Sequence, residues 1–283
     1  MNFRVTCELD YTLQSTATFL FALRCIETGG QRILSESLVI APFITTEEFT
    51  LVGGMNRFTR VKTLNPGLLK ISYQADVSTT MRIVPVASLY LDGPGNLSPE
   101  AIPFLFPSRY CQSDRLRQQA MDLFGHLNTP HAIASGVSDW IFENVDYVSG
   151  SSGETCSAID TLERHQGVCR DFAHLAIALC RAMSVPARYA TCYAYQLNPP
   201  DFHACFEVFI DGWWHVFDAT RLAPLNGLVR IATGRDAADA AVCTIFGNPG
   251  LTRSVVSCEC SDSNFIPVTR DSLVRGNEVI ALL

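Results

Sequence analysis

Gly167-Val168-Cys169-Arg170-Asp171-Phe172 is the stretch on which the fold of this 283-residue chain turns. Gly167 marks a break. After it, Phe172, Leu175, Ala176, Leu179, Ala182 and Met183 recur at helical spacing until Pro186 stops the pattern. The spacing predicts a helix with Cys169 in its first turn. That end of a helix is the positive pole of the backbone dipole. A positive field favours thiolate over thiol, and thiolate is the nucleophile. The same position also suits a small buried residue, because inert buried cysteines are common.

Beyond Pro186 the pattern changes to period two, over Arg188–Tyr195 and again from His203. Asp211-Gly212 separates two such runs and is a good two-residue hairpin turn. With Ile210 and Trp213 flanking the turn, Cys205 falls opposite Asp218. His203 shares the face of Cys205, because side chains alternate along a strand. His203 and Asp218 are then diagonal neighbours, about 7–8 Å apart at the backbone and within side-chain reach. A reactive cysteine needs a base, and the base needs an orienting group. The hairpin offers both, although ordinary polar residues on a wet face fit it equally well. A one-residue slip would part them. His215 pairs with Val208 and points to the opposite face. His174, five residues after Cys169, is expected to pack and hydrogen-bond within the core. Trp213 and Trp214 are expected to pack, Trp214 on the face of His203.

Upstream, Ser113 is placed to cap a helix carrying Leu116, Ala120, Leu123 and Phe124. A second helix carries Ile133, Val137, Trp140 and Ile141. The loop Tyr147–Gly153 leads to a short helix from about Cys156 to Arg164. The first part of the chain reads as β. Val5, Cys7, Leu9, Tyr11 and Leu13 alternate with polar residues, as do Leu69, Ile71, Tyr73, Ala75 and Val77. Shorter apolar runs surround Phe19–Cys25, Leu38–Ile40 and Phe58–Val61, with turns at Gly53-Gly54 and Asn65-Pro66-Gly67. Pro85, Pro94, Pro99, Pro103 and Pro107 mark a segment expected to run extended, with a turn at Gly93-Pro94-Gly95-Asn96. The expected division is a β accessory domain over 1–108 and a second domain over 109–283. Helices followed by strands make the class α+β.

Hydrophobic residues make up 48% of the chain and charged residues 17%, enough for a substantial core. The formal charge of −7 and the lack of a basic face argue against a nucleic-acid partner. No run of 18 apolar residues suggests a membrane span. The start, Met1-Asn2-Phe3-Arg4-Val5, lacks an apolar signal core, so a cytoplasmic location is expected. The eleven cysteines form no disulfide-like frame. Cys258-Glu259-Cys260 is expected to occupy alternate positions on one strand. No metal or other cofactor is indicated, and no acidic, Gly-centred calcium loop is present.

Three stretches resemble the transglutaminase-like superfamily. Gly167-Val168-Cys169-Arg170-Asp171-Phe172-Ala173-His174-Leu175, running on to Pro186-Ala187-Arg188-Tyr189, is similar to that family's nucleophile helix and next strand. His203-Ala204-Cys205-Phe206-Glu207-Val208 resembles its histidine strand, and Phe217-Asp218-Ala219-Thr220 its aspartate end. Cys205 stands where the family often has Trp, and Ala219 where it often has Pro. The β region resembles the N-terminal domain of bacterial members. The resemblance implies an antiparallel β-sandwich or barrel followed by a papain-like core, helices packed on an antiparallel sheet. It also implies a Cys169-His203-Asp218 triad acting through a thioester on an amide of a peptide or protein. The acceptor is water or a primary amine; the low charge and the cytoplasmic expectation lean towards water. The oxyanion needs donors. The backbone N–H of Cys169 is the first candidate, with Gln166 and Tyr147 as candidates for the second. Asp171 is expected to bond free N–H groups of its own helix start, and Gly234–Asp239 to cap a helix. Two other readings stay open: a non-catalytic peptide-binding module, and a zinc site using Cys169, His203 and a cysteine such as Cys205.

Overall fold

The computed structural model describes residues 1–51, 53–89 and 94–283. Alternating side chains and tight turns produce β1 (Asn2–Leu13), β2 (Ala17–Phe21), β3 (Gln31–Ala41), β4 (Thr46–Thr50), β5 (Arg57–Thr63), β6 (Gly67–Thr79) and β7 (Met81–Pro85). After a linker come α1 (Arg117–Phe124), α2 (Pro130–Asn144), β8 (Asp146–Tyr147), α3 (Ala158–Arg164), β9 (Gln166–Gly167) and α4 (Cys169–Ala182). Then follow β10 (Ala187–Ala194), β11 (Phe202–Ile210), β12 (Trp213–Phe217), β13 (Leu228–Gly234), α5 (Ala237–Ala240), β14 (Cys243–Phe246), β15 (Gly250–Cys260), α6 (Arg270–Gly276) and β16 (Glu278–Leu282).

The first part builds two four-stranded sheets, in the orders β15-β1-β6-β3 and β14-β2-β5-β4. Phe3, Val5, Cys7, Leu9 and Tyr11 alternate inward along β1 and are buried. Tyr11 meets Phe19 at 5.1 Å between ring centroids, and Phe19 stacks on Phe21 at 5.3 Å. A third sheet runs β13-β10-β11-β12-β16-β7, with every neighbouring pair antiparallel. α4 packs on β10 and β11 of this sheet. The architecture is thus α+β: a β-rich N-terminal region beside helices laid on an antiparallel sheet.

Strands cross Ser108 in both directions. β14 pairs with β2, and β15 lies along β1 from Phe3↔Cys260 to Thr12↔Gly250. β7 in turn closes the edge of the six-stranded sheet against β16. Cys258 and Cys260 both lie on β15.

Two local expectations differ from the structure. The proline-rich segment is extended only in part where it is described: Pro85, Leu89 and Phe106 are extended, but Val86–Ser88, Pro94–Asn96 and Ile102–Leu105 are 3-10 turns. A φ near −65° suits the start of a tight turn as well as an extended chain, so proline can open either. Gly93, the first residue of the expected turn at Gly93–Asn96, lies outside the described residues. Ser113 does not cap α1. Its carbonyl accepts from Leu116 N–H at 3.3 Å in a preceding turn, and α1 begins at Arg117. Arg181, buried in the last turn of α4, fastens the linker. Its Nη1 donates to Phe106 O at 3.0 Å and Ser108 Oγ at 3.1 Å, while Nε donates to Ala187 O at 2.9 Å.

Candidate active site

The hairpin of β11 and β12 pairs Ile210 with Trp213, Val208 with His215 and Phe206 with Phe217, the register expected from Asp211-Gly212. Both turn residues have positive φ, 52° at Asp211 and 78° at Gly212, as a type I′ turn requires. His203 therefore meets Asp218: His203 Nε2 lies 2.8 Å from Asp218 Oδ2. The two are 1% and 5% exposed. A carboxylate only accepts, so Nε2 is the donor and the ring is fixed in orientation. The other oxygen, Oδ1, accepts from Thr220 N–H at 2.9 Å and from Thr220 Oγ1–H at 2.8 Å. Thr220 was not singled out from sequence. An Asp followed two residues later by a hydroxyl and a free N–H is the signal that would have found it.

Cys169 is the first residue of α4 and partly exposed. Asp171 closes the helix start as expected, its Oδ2 accepting from Val168 N–H at 2.9 Å. Gly167 admits that carboxylate, because a Cβ there would sit 2.7 Å from Asp171 Cβ. Burial alone would lower the His203 pKa. The charge and hydrogen bond of Asp218 outweigh it, with a contribution from Cys169, and the imidazole is held well above its usual value. His203 Nδ1 is buried and has no hydrogen-bond partner among the described residues. It is the ring nitrogen that Asp218 does not engage.

Tyr147 reaches Cys169 across 22 positions of sequence. β8 and β9 pair in parallel, Tyr147 with Gly167, and Val148 N–H donates to Gly167 O at 2.9 Å. The Tyr147 phenol is pushed up to about 12, first by burial and then by the charge of Cys169, while the Cys169 N–H opposes the shift. The phenol is therefore a neutral O–H donor at neutral pH. Gln166, on β9, is exposed. Arg170 ties the loop after β8 to the start of α4, Nη2 donating to Ser152 Oγ at 2.6 Å and to Gly153 O at 2.8 Å.

The remaining candidates are structural in their contacts. His174 is buried, stacks on Tyr110 at 5.0 Å, and accepts from Ala237 N–H at 3.1 Å. Burial holds it well below its usual pKa. His215 lies 3.2 Å from Ile210 O through Nε2. Asp236 caps α5, its Oδ1 accepting from Ala238 N–H at 2.9 Å. Among the described residues, no three His, Cys, Asp or Glu side chains gather as a metal-ligand group, so Cys169, His203 and Cys205 do not form the zinc site held open above.

Residues 117–219 match the model of the transglutaminase-like superfamily, and residues 1–90 that of the bacterial transglutaminase N-terminal domain. The crystal structure of a putative cysteine protease from Cytophaga hutchinsonii is 47% identical, with a TM-score of 0.96, covering 100% of this chain and 98% of that one. The chain belongs to the transglutaminase-like superfamily. Curated relatives include an uncharacterized protein of Mycobacterium leprae, 28% identical over 120 residues, which are 40% of this chain and 43% of that protein. Another, from Mycobacterium tuberculosis, is 31% identical over 107 residues, 38% of this chain and 33% of that protein. The chain thus spans less than half the length of these relatives. Against this superfamily, the matched core covers Cys169, His203 and Asp218 together.

Proposed function

We propose that this transglutaminase-like chain is a cysteine hydrolase of peptide or protein amide bonds. One observation carries the reading: His203 is bonded to Asp218 at 2.8 Å through one nitrogen, its other nitrogen is unpartnered among the described residues, and Cys169 is near enough to raise its pKa. In the proposed cycle the Cys169 sulfur attacks the amide carbonyl. His203 takes the thiol proton, or holds it in a resting ion pair, and delivers it to the leaving amine. Asp218, clamped by Thr220, keeps the imidazolium charged and oriented. The oxyanion is met by the Cys169 N–H at the positive end of α4 and by the Tyr147 O–H. The resulting thioester is resolved by an acceptor.

Water is the favoured acceptor. Tyr147 is 45% exposed and Cys169 is partly open to solvent, and a site that admits water gives a bound amine little advantage. The likeness to a protein described as a cysteine protease points the same way. The test is to incubate the protein with a peptide library, with and without a primary amine, and to read products by mass. Cleaved or deamidated peptides support hydrolysis. Amine adducts in place of them would transfer the assignment to transamidation, and activity that survives Cys169→Ala would end it.

A further inference from the structure

Four connections cap one end of the N-terminal β region: β1–β2, β3–β4, β5–β6 and β14–β15. The ladders hold them side by side, through Leu13↔Gly67, Thr12↔Gly250, Ala17↔Thr63, Phe246↔Thr18, Ala41↔Lys70 and Thr46↔Val61. Neighbouring strands lie about 4.8 Å apart, so the four connections form one continuous surface. Phe3, at the other end of β1, meets Tyr195 and Phe265 at 6.0 Å and 6.1 Å between ring centroids. Leu13 is ten residues further along the strand, about 33 Å from that contact. The capped end is thus turned away from the catalytic region.

This surface is apolar and uncharged. Phe43 is 91% exposed, Leu64 67%, Phe246 60%, Leu251 54% and Leu68 46%. At about 200 Å² for a whole large side chain, these fractions amount to on the order of 600 Å² of bare apolar surface. That is the upper end for the largest patch of a monomer. Two such faces together reach the roughly 1,200 Å² at which specific interfaces begin. No residue of 11–18, 41–46, 63–69 or 245–252 is charged, in a chain of formal charge −7. A second copy can meet this face without bringing like charges together, whereas an acidic partner or a phosphate headgroup would find no cations in the loops. A groove of about 400 Å³ lies beside Phe43, lined by Pro42, Ile44, Leu64, Pro66 and Leu68. Lys62, the one charged residue lining it, is exposed and keeps its ammonium in water at the rim. A projecting phenyl and a groove wide enough for one stand side by side, which is what a surface needs to fit a copy of itself.

We propose that this end is a homodimer interface, in which two copies meet about a two-fold axis and each inserts Phe43 into the groove of the other. Phe246 and Leu251, across the β1–β2 connection, extend the contact.

Sedimentation velocity of the full chain over roughly 1–100 µM tests this. The wild type is expected to pass from monomer to dimer within that range and to stop there, because a two-fold contact closes. The dimer is expected to be at least as tight at high salt as at low, since no ion pair holds it. Phe43→Glu and Leu64→Glu, at exposed positions, are each expected to weaken it at least tenfold with circular dichroism unchanged. Ile266→Glu, also at an exposed position but outside this surface, is expected to leave it unchanged. A wild type that stays monomeric, a dimer that survives both substitutions, a dimer that salt dissolves, or assembly that continues past two copies would each overturn the proposal. So would a monomer that floats with phosphatidylcholine vesicles, which would assign the surface to lipid. None of these outcomes depends on turnover at Cys169.

Discussion

Replacing Asp218 by Asn changes one atom, and Thr220 determines the result. Thr220 N–H can only donate, so it keeps the amide oxygen of the new side chain where Oδ1 now sits. The amide nitrogen is then delivered to His203 Nε2 in place of Oδ2. An N–H facing Nε2 forces that nitrogen to accept, and the ring's proton moves to Nδ1, the nitrogen that the proposed cycle uses to take the Cys169 proton. The thiol loses its base. A hydrogen bond to a charged group contributes about 1.5–3 kcal/mol. At about 1.4 kcal/mol per factor of ten, that alone corresponds to roughly 10- to 150-fold in rate. The inverted tautomer adds to it, so a fall of at least about 100-fold is expected. Only the smaller contribution of Cys169 then opposes burial, and the His203 pKa falls from its raised value. The assay is the rate of iodoacetamide labelling at Cys169, followed by mass from pH 5 to 9, with circular dichroism as the check on folding. The wild type is expected to label Cys169 ahead of the other ten thiols at neutral pH. Its alkaline change is expected well above pH 6.5, where the Asp218-held imidazolium discharges. In Asp218→Asn the preference disappears and that change moves to lower pH. A folded Asp218→Asn protein that labels like the wild type would refute the coupling of the three side chains.

Tyr147→Phe removes the proposed second oxyanion donor, and turnover should fall about 10²–10³-fold while labelling of Cys169 changes little; equal losses in both would mean that Tyr147 acts on the thiol instead. Thr220→Val removes one of the two hydrogen bonds that hold Asp218 Oδ1. A loss of about 1 kcal/mol, or several-fold in labelling rate, is expected. Arg181→Met leaves the carbonyls of Phe106, Ala187 and Arg235 without their donor, and urea unfolding should show a loss of about 3 kcal/mol or more. Burial holds His131 and His215 at about 4. The unfolded chain therefore binds more protons than the native one between pH 6.5 and 4, and stability falls as pH drops through that window. The sign at His203 is the reverse: its contribution is complete below pH 6.5 and is lost as pH rises through its raised folded value. Urea midpoints measured from pH 4 to 9 should thus decline on the acid side, and a flat acid limb would contradict the burial of His131 and His215.

The hairpin was legible because two local rules agree there. A two-residue turn at Asp211-Gly212 sets the register, and alternation then puts His203 and Asp218 on one face. The α4 pattern was legible for the same reason, with one apolar face, one break before it and one proline after. The approach of Tyr147 to Cys169 was not legible beyond candidacy. It depends on a two-residue parallel pairing of β8 with β9, too short to leave a periodic trace. The buried ion pairs of Glu207 with Arg188 and Arg230 were hidden because buried charge looks like surface charge in a strand, and β13 joins β10 only through tertiary structure. The start of α1 failed at a boundary, where a polar residue such as Ser113 serves a turn as readily as a cap.

The pairing of β15 with β1 has a consequence for how the molecule comes into being. Met1 through Thr79 leave the ribosome long before Gly250, so the first sheet waits with the long flank of β1 bare for the time needed to make some 170 further residues. An uncovered strand edge is a template for other chains, and late, distant pairings are slow to form. Nascent or truncated chains that stop before Gly250 should therefore be the ones that aggregate, even though all of α4, β11 and β12 is already present in them.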